Sequence, residues 1–360
     1  MNRFDGMDPA ASTHERSPRA VHRLRRRYGR TFCALLAACA ISLAPAAIAQ
    51  TLACPAPAAE FVFDNGFELP AGADLAAAGP FAIASVAGSS ISAVTGRTTP
   101  WTAHYPVTTG ARPLVLFAPG FQIPSSAYRN WAEHLASWGF ITVRADPTAG
   151  FTPNHTSMSL DLRSVLDDVV LPDALPVSVD TGRIALSGHS LGGKVALMAA
   201  AGDARVRALF VFDPVNGAGQ SGYTPDQPNI IPQPMASFAV PIGVLGELLD
   251  SVGGVGGQAC APAAINYQTI FLAATASPRA FEWTLDGASH TDFITNQEQC
   301  GIACAFCQPR TLPLEQTHAF MRASSVAFMR TYLQEEPGLC HWLNGSALPA
   351  AVSLRQAPLP

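Results

Sequence analysis

The chain has 360 residues, of which 13% are charged, and a formal net charge of −4 at pH 7. A composition so poor in charge supplies neither the basic field of a nucleic-acid binder nor the acidic run of a solvating tail, and favours a small-molecule or apolar substrate. The length suits one large α/β domain of about 200–300 residues with appendages, or two smaller domains.

The N-terminus gathers His22, Arg23, Arg25, Arg26, Arg27 and Arg30 ahead of the apolar run TFCALLAACAISLAPAAIA, residues 31–49. A basic stretch, an apolar stretch and an Ala47-Ile48-Ala49 site predict a signal peptide over residues 1–49, cleaved after Ala49, and a secreted or periplasmic mature protein. Small alanines and Pro45 make the same run a poor permanent membrane span. A start at Met7 is compatible with this reading. The LAAC tetrad ending at Cys39 offers a competing lipoprotein site, but the ten residues after it stay apolar where such a site normally turns polar. Cleavage leaves Cys54, Cys260, Cys300, Cys304, Cys307 and Cys340, an even number that in an oxidising compartment predicts disulfides without fixing their pairing.

Residues 50–85 are rich in Ala, Gly and Pro around a small aromatic cluster, FVFDNGFE, and read as a lead-in to a domain over residues 86–335. Apolar runs at 114–118, 140–144, 183–187, 207–212, 241–246, 269–273 and 280–285 suit buried strands. Between them, Tyr128, Trp131, Leu135 and Trp138 share one helical stripe, as do Leu162, Val165, Leu166 and Val169. A final helix is predicted over about residues 316–334, and the proline-rich tail 336–360 reads as peripheral apart from Cys340. Alternating strand and helix imply an α/β fold with a mostly parallel central sheet and helices on both faces. The Gly/Pro-rich loops 216–234 and 251–264 follow strand ends, where such sheets hold their ligands.

Within RIALSGHSLGGKVALMAAA, residues 183–201, the pattern G-x-S-x-G sits between a strand and a helix, the context of the nucleophile elbow of α/β hydrolases. Gly188 and Gly192 spare the turn a clash, and Ser190 is presented above the sheet at a helix N-terminus. A serine hydroxyl needs a base, and in this fold base and acid follow the serine in the chain. Of the nine histidines, His290, His318 and His341 lie well downstream. His290 follows a strand in the turn DGASH and is the candidate base. Asp250, ending PIGVLGELLD, and Asp213, in VFDPVNG, can each orient its imidazole. The oxyanion donors are Leu191 N–H, directly after the nucleophile, and Phe121 N–H in PGF, since Pro119 has no N–H to offer.

In LFAPGFQIPSSAYRNWAEHLASWGFITVRAD and GHSLGGK the chain resembles the chlorophyllase and PET-hydrolase/cutinase branch of the α/β-hydrolase superfamily, over about residues 90–335. GHSLGGK, FVFDPVNG and CAPAAINYQTIF look specifically chlorophyllase-like. The resemblance implies carboxylic-ester hydrolysis through an acyl-enzyme on Ser190, with lipophilic or polymeric esters as substrates and no cofactor or metal. It is divided over the acid: the cutinase-type segment implies Asp250, the chlorophyllase-type segment Asp213. The position after the later strand is the commoner one in the superfamily, which favours Asp250. Phe121, His189 and Val215 are expected to line the substrate site, with Trp131 and Trp283 as further wall candidates, Trp131 fitting the core better.

Two other readings stay open at this level. CGIACAFC supplies a C-x3-C-x2-C run, Cys300, Cys304 and Cys307, that could ligate a metal in a non-catalytic secreted protein. The triad would also serve a thioesterase or a peptidase. The favoured reading is an exported monomeric esterase with a small-molecule or polymeric ester as its partner, no nucleic acid and no stable membrane span in the mature form.

Overall fold

The computed structural model describes residues 60–62, 68–70, 74–147, 150–217, 222–254, 257, 259–345 and 348–357. The predicted signal peptide, Cys39 and Cys54 lie outside them. A two-stranded antiparallel pair, β1 (Glu60–Val62) and β2 (Glu68–Pro70), precedes the main sheet. That sheet has nine strands: β3 (Ile83–Ile91), β4 (Thr98–Pro106), β5 (Arg112–Ala118), β6 (Ile141–Ala145), β7 (Val179–His189), β8 (Val206–Phe212), β9 (Ile242–Glu247), β10 (Ala280–Leu285) and β11 (Val352–Ala357). Their order is β11-β10-β9-β8-β7-β5-β6-β4-β3. The six strands from β10 to β6 in that order pair in parallel, and β11, β4 and β3 are added at the edges by antiparallel pairing with β10, β6 and β4.

The helices are α1 (Arg129–Ser137), α2 (His155–Val169), α3 (Leu191–Ala200), α4 (Tyr267–Ala273) and α5 (Leu314–Leu333). Strand periodicity divides the apolar side chains between two cores. On β5, Leu114, Leu116 and Ala118 face one, which also takes Leu162, Val165, Val195 and Ile270 of α2, α3 and α4. Val115 and Phe117 face the other, with Trp131 and Leu135 of α1 and Met321 and Phe328 of α5. With both faces covered, β5, β6, β9 and β10 are buried along their whole length, and the polar ends of the parallel strands are left for chemistry.

The architecture is the predicted one, with three differences. The apolar run 269–273 belongs to α4, not to a strand: Tyr267, Ile270 and Phe271 are its buried face, spaced one helical turn apart. β3 and β4, rich in Ser, Thr and Ala, escape a search for apolar runs. The tail is not peripheral, because β11 pairs with β10 from Ala280↔Ala357 to Leu285↔Val352 and so completes the sheet. Arg355 of β11 also pairs with the buried carboxylate of Glu282. No helix among the described residues is long and apolar enough to cross a membrane.

Candidate active site

β7 runs straight into α3 through Ser190, whose backbone sits at φ 55°, ψ −124°. That region is nearly closed to residues with a side chain, and holding one there costs about 1–3 kcal/mol. The sharpness of the bend dictates its neighbours. A Cβ on Gly188 would lie 2.4 Å from the Gly192 carbonyl oxygen, and one on Gly192 would lie 2.1 Å from the Ala118 carbonyl oxygen. The Ser190 N–H donates to Phe212 C=O on β8 at 3.0 Å, fixing the bend to the sheet.

His290 begins a short 3-10 turn after β10, capped reciprocally by Ser289 and Asp292. Its Nε2 lies 2.9 Å from Ser190 Oγ and its Nδ1 2.5 Å from Asp213 Oδ2. Asp213 follows β8 at φ 38°, with its N–H donating to Leu245 C=O at 2.6 Å. It is fully buried. Burial raises its carboxyl above the ordinary range, and the His290 imidazole opposes that rise.

Asp250, the acid that the superfamily comparison favoured, does not face the imidazole, and that expectation is corrected. One of its oxygens accepts from the backbone N–H of His290 at 2.7 Å and from Ser289 Oγ at 2.9 Å, while the other accepts from Gln308 N–H at 2.5 Å. Its hydrogen-bonding capacity goes to holding two loops, and Nδ1 is left to Asp213. The difference has a physical source: β8 and β9 end side by side, and the left-handed backbone of Asp213 turns its carboxylate under the ring.

His189 lines the cleft above Ser190, and its hydrogen bonds give it a role in positioning. Nε2 lies 2.9 Å from the His290 carbonyl oxygen, which can only accept, so Nε2 carries the proton and Nδ1 is an acceptor. Tyr128 Oη, 2.7 Å from Nδ1, is therefore the donor there, and it accepts the Gly120 N–H at 3.3 Å. One directed chain thus joins the loop after β5 to the backbone of His290. Burial, followed by the neighbouring His290, pushes the His189 pKa far down, which keeps the ring neutral and the direction fixed. Tyr128 was legible only as one residue of an apolar stripe; nothing in its spacing marks the hydroxyl.

The same chain occupies Gly120 N–H and leaves Phe121 N–H as the next donor in that loop. Leu191 N–H is the first of α3, where helical N–H groups have no partner within the helix. Among the described residues, neither of these two N–H groups donates to a protein acceptor. Ser125 braces the loop from below, donating its N–H and Oγ–H to Asp146 at 2.6 and 2.7 Å.

The cleft above Ser190 has a volume of about 200 Å³. Phe121, Ile123, Ile294 and Phe306 give it an apolar lining, and Cys260 and Cys307 lie in its wall. Val215 is not part of it: the side chain packs against the core of α2 and α3, and its N–H donates to Ser190 C=O at 3.3 Å. Trp131 and Trp283 are core residues, fully buried against α5, and Trp283 stacks on Phe281 at 5.1 Å.

The cysteine run has a structural outcome. Cys300 pairs with Cys304 and Cys260 with Cys307. Asp250 lies close to the second pair, but sulfurs committed to disulfides are not the thiolate donors that the metal reading of this run requires. The Cys260–Cys307 bridge ties the loop after β9 to the segment whose Gln308 binds Asp250. It thereby fastens one wall of the cleft to the support of His290.

A mostly parallel sheet with helices on both faces, and a Ser–His–Asp line at the carboxyl ends of its strands, is the arrangement of the α/β-hydrolase fold. The chain belongs to the chlorophyllase family, whose model matches residues 74–356. It is 30% identical over 189 residues to Chlorophyllase-1 of Arabidopsis thaliana, covering 49% of this chain and 58% of that protein. It is 26% identical over 258 residues to Chlorophyllase type 0 of Chenopodium album, covering 64% and 70%. To the bis(hydroxyethyl) terephthalate hydrolase of Streptomyces coelicolor it is 31% identical over 184 residues, covering 50% and 58%. The match thus spans a little over half the length of the Arabidopsis and Streptomyces relatives.

Proposed function

We propose that this protein is an exported serine hydrolase of carboxylic esters, acting through an acyl-enzyme on Ser190. The observation that carries the proposal is the unbroken line from Asp213 Oδ2 through the imidazole of His290 to Ser190 Oγ, at 2.5 and 2.9 Å. With Asp213 on Nδ1, the imidazole presents an unprotonated Nε2 to the serine hydroxyl. Ser190 Oγ attacks the ester carbonyl carbon as its proton passes to His290 Nε2, and Phe121 N–H and Leu191 N–H hold the oxyanion. The intermediate collapses by breaking the bond to the alkoxy oxygen, which leaves as the alcohol with the proton from Nε2. Water then repeats the sequence and releases the acid.

An apolar cleft walled by Phe121, Ile123, Ile294 and Phe306 supports lipophilic acyl or aryl esters as substrates, and relatives named chlorophyllase and terephthalate hydrolase support the ester class. The N-terminal segment and the two disulfides among the described residues support export and oxidative folding. The test is turnover of p-nitrophenyl esters of increasing acyl length by the mature protein, with Ser190→Ala as control. The proposal expects turnover with a pre-steady-state burst of nitrophenol, abolished in the variant. Equal rates for the two proteins, or none for either, would refute it.

A further inference from the structure

Glu247 closes β9, and its carboxyl feels the charge of Asp213 at the end of the neighbouring strand β8. Leu245, two residues earlier, pairs with Phe212 in the parallel β8–β9 register and accepts the Asp213 N–H. The two acids therefore leave adjacent strands at the same edge, and both are fully buried. Each has one oxygen engaged. Asp213 Oδ2 faces His290, and Glu247 Oε2 accepts the Asp250 N–H at 2.9 Å. Each also has one oxygen without a partner, Asp213 Oδ1 and Glu247 Oε1, both shut away from solvent. A buried acceptor without a partner is costly, and two neighbouring carboxylates repel besides. One proton between the orphaned oxygens removes all three penalties.

We propose that Glu247 is carried as the neutral acid and donates its hydroxyl to Asp213 Oδ1, a positioning residue that holds the carboxylate plane on the imidazole of His290. The inference rests on the reading of Asp213 as the triad acid. The charged groups bearing on Glu247 are Asp213 from the end of β8 and Asp250 from the turn after β9, with His290 beyond Asp213. Burial first, and the Asp213 charge second, push its carboxyl up to about 10, so the proton is retained at neutral pH.

A glutamine can donate the same hydrogen bond without a proton to lose; a leucine of similar size cannot. Glu247→Gln is expected to keep kcat within about threefold of the parent, and Glu247→Leu to lose about tenfold or more in kcat with little change in KM. The parent should also lose activity as pH rises towards 10 by a step that Glu247→Gln lacks. A second readout needs no catalysis. Between the ordinary carboxyl value of 4.5 and about 10 the folded protein binds a proton that the unfolded chain has released, so stability falls as pH rises through that window. Subtracting the unfolding midpoint of Glu247→Gln from that of the parent at each pH should give a difference that declines from pH 5 to pH 9. A flat difference, or a leucine variant as active as the glutamine one, overturns the proposal. If no ester is turned over by any of the proteins the proposed function fails, while the midpoint series still reads the proton on Glu247.

Discussion

Two buried aspartates sit within reach of His290, and their hydrogen bonds divide the work between them. Replacing Asp213 by Asn leaves shape and burial intact but reverses the tautomer preference of the imidazole. Asp213→Asn is therefore expected to lower kcat by about 10³–10⁴-fold while the protein still folds. Asp250→Ala removes the acceptor of three hydrogen bonds, from Ser289, His290 and Gln308. Its main effect should be on stability, about 3 kcal/mol by chemical denaturation, because buried donors are left unpaired. Retained catalysis in the first variant, or unchanged stability in the second, would contradict this division. Ser190 and His290 are legible in the sequence because a glycine-bounded serine between strand and helix is local information, and a histidine after a late strand is nearly so. The choice of acid is not local. It depends on which of two strand-end carboxylates the sheet turns under the ring, and on the positive φ of Asp213, a conformation that VFDPVNG does not announce. The hydroxyl of Tyr128 is hidden for the same reason, since a residue on an apolar stripe shows its polar tip only once His189 is placed opposite. Tyr128→Phe breaks the chain from Gly120 to His290 and is expected to cost about 1 kcal/mol in stability, together with a severalfold loss in kcat.

At the level of elements, the site is made by strands that end together and a helix that starts without a linker. β7 passes into α3 through one residue, so the tolerance of the bend is set by backbone atoms that cannot move aside. Gly192→Ala would bring a methyl group against the Ala118 and Pro119 carbonyls; loss of soluble folded protein on expression is the expected result, and wild-type activity would show that the bend is looser than described. The central strands are legible because they are buried on both faces and read as continuous apolar runs. β3, β4 and β11 are edge or near-edge strands, part-exposed and mixed in polarity, and lack that signal. The segment TIFLA is equally apolar as helix or strand over five residues. Only the wider burial of Tyr267, Ile270 and Phe271 decides for α4.

Across the whole molecule, the sheet separates two cores and carries its chemistry at one edge, where the loop after β9 and the segment 300–308 converge on His290. The Cys260–Cys307 bridge joins residues 47 apart in the chain. In the chain-entropy account, a loop of that length is worth about 4 kcal/mol. Replacing both cysteines by serine should lower the unfolding free energy by up to this amount and raise KM more than it lowers kcat, since the bridge forms part of the cleft wall. Unchanged stability and KM would show that the bridge does not hold that wall. The account as a whole depends on a single activated oxygen, and intact-mass spectrometry after treatment with a fluorophosphonate reads it directly. One adduct per molecule, located on the peptide containing Ser190 and absent from both Ser190→Ala and His290→Ala, is the predicted result. A protein of unchanged mass, or an adduct that persists without Ser190, would contradict it.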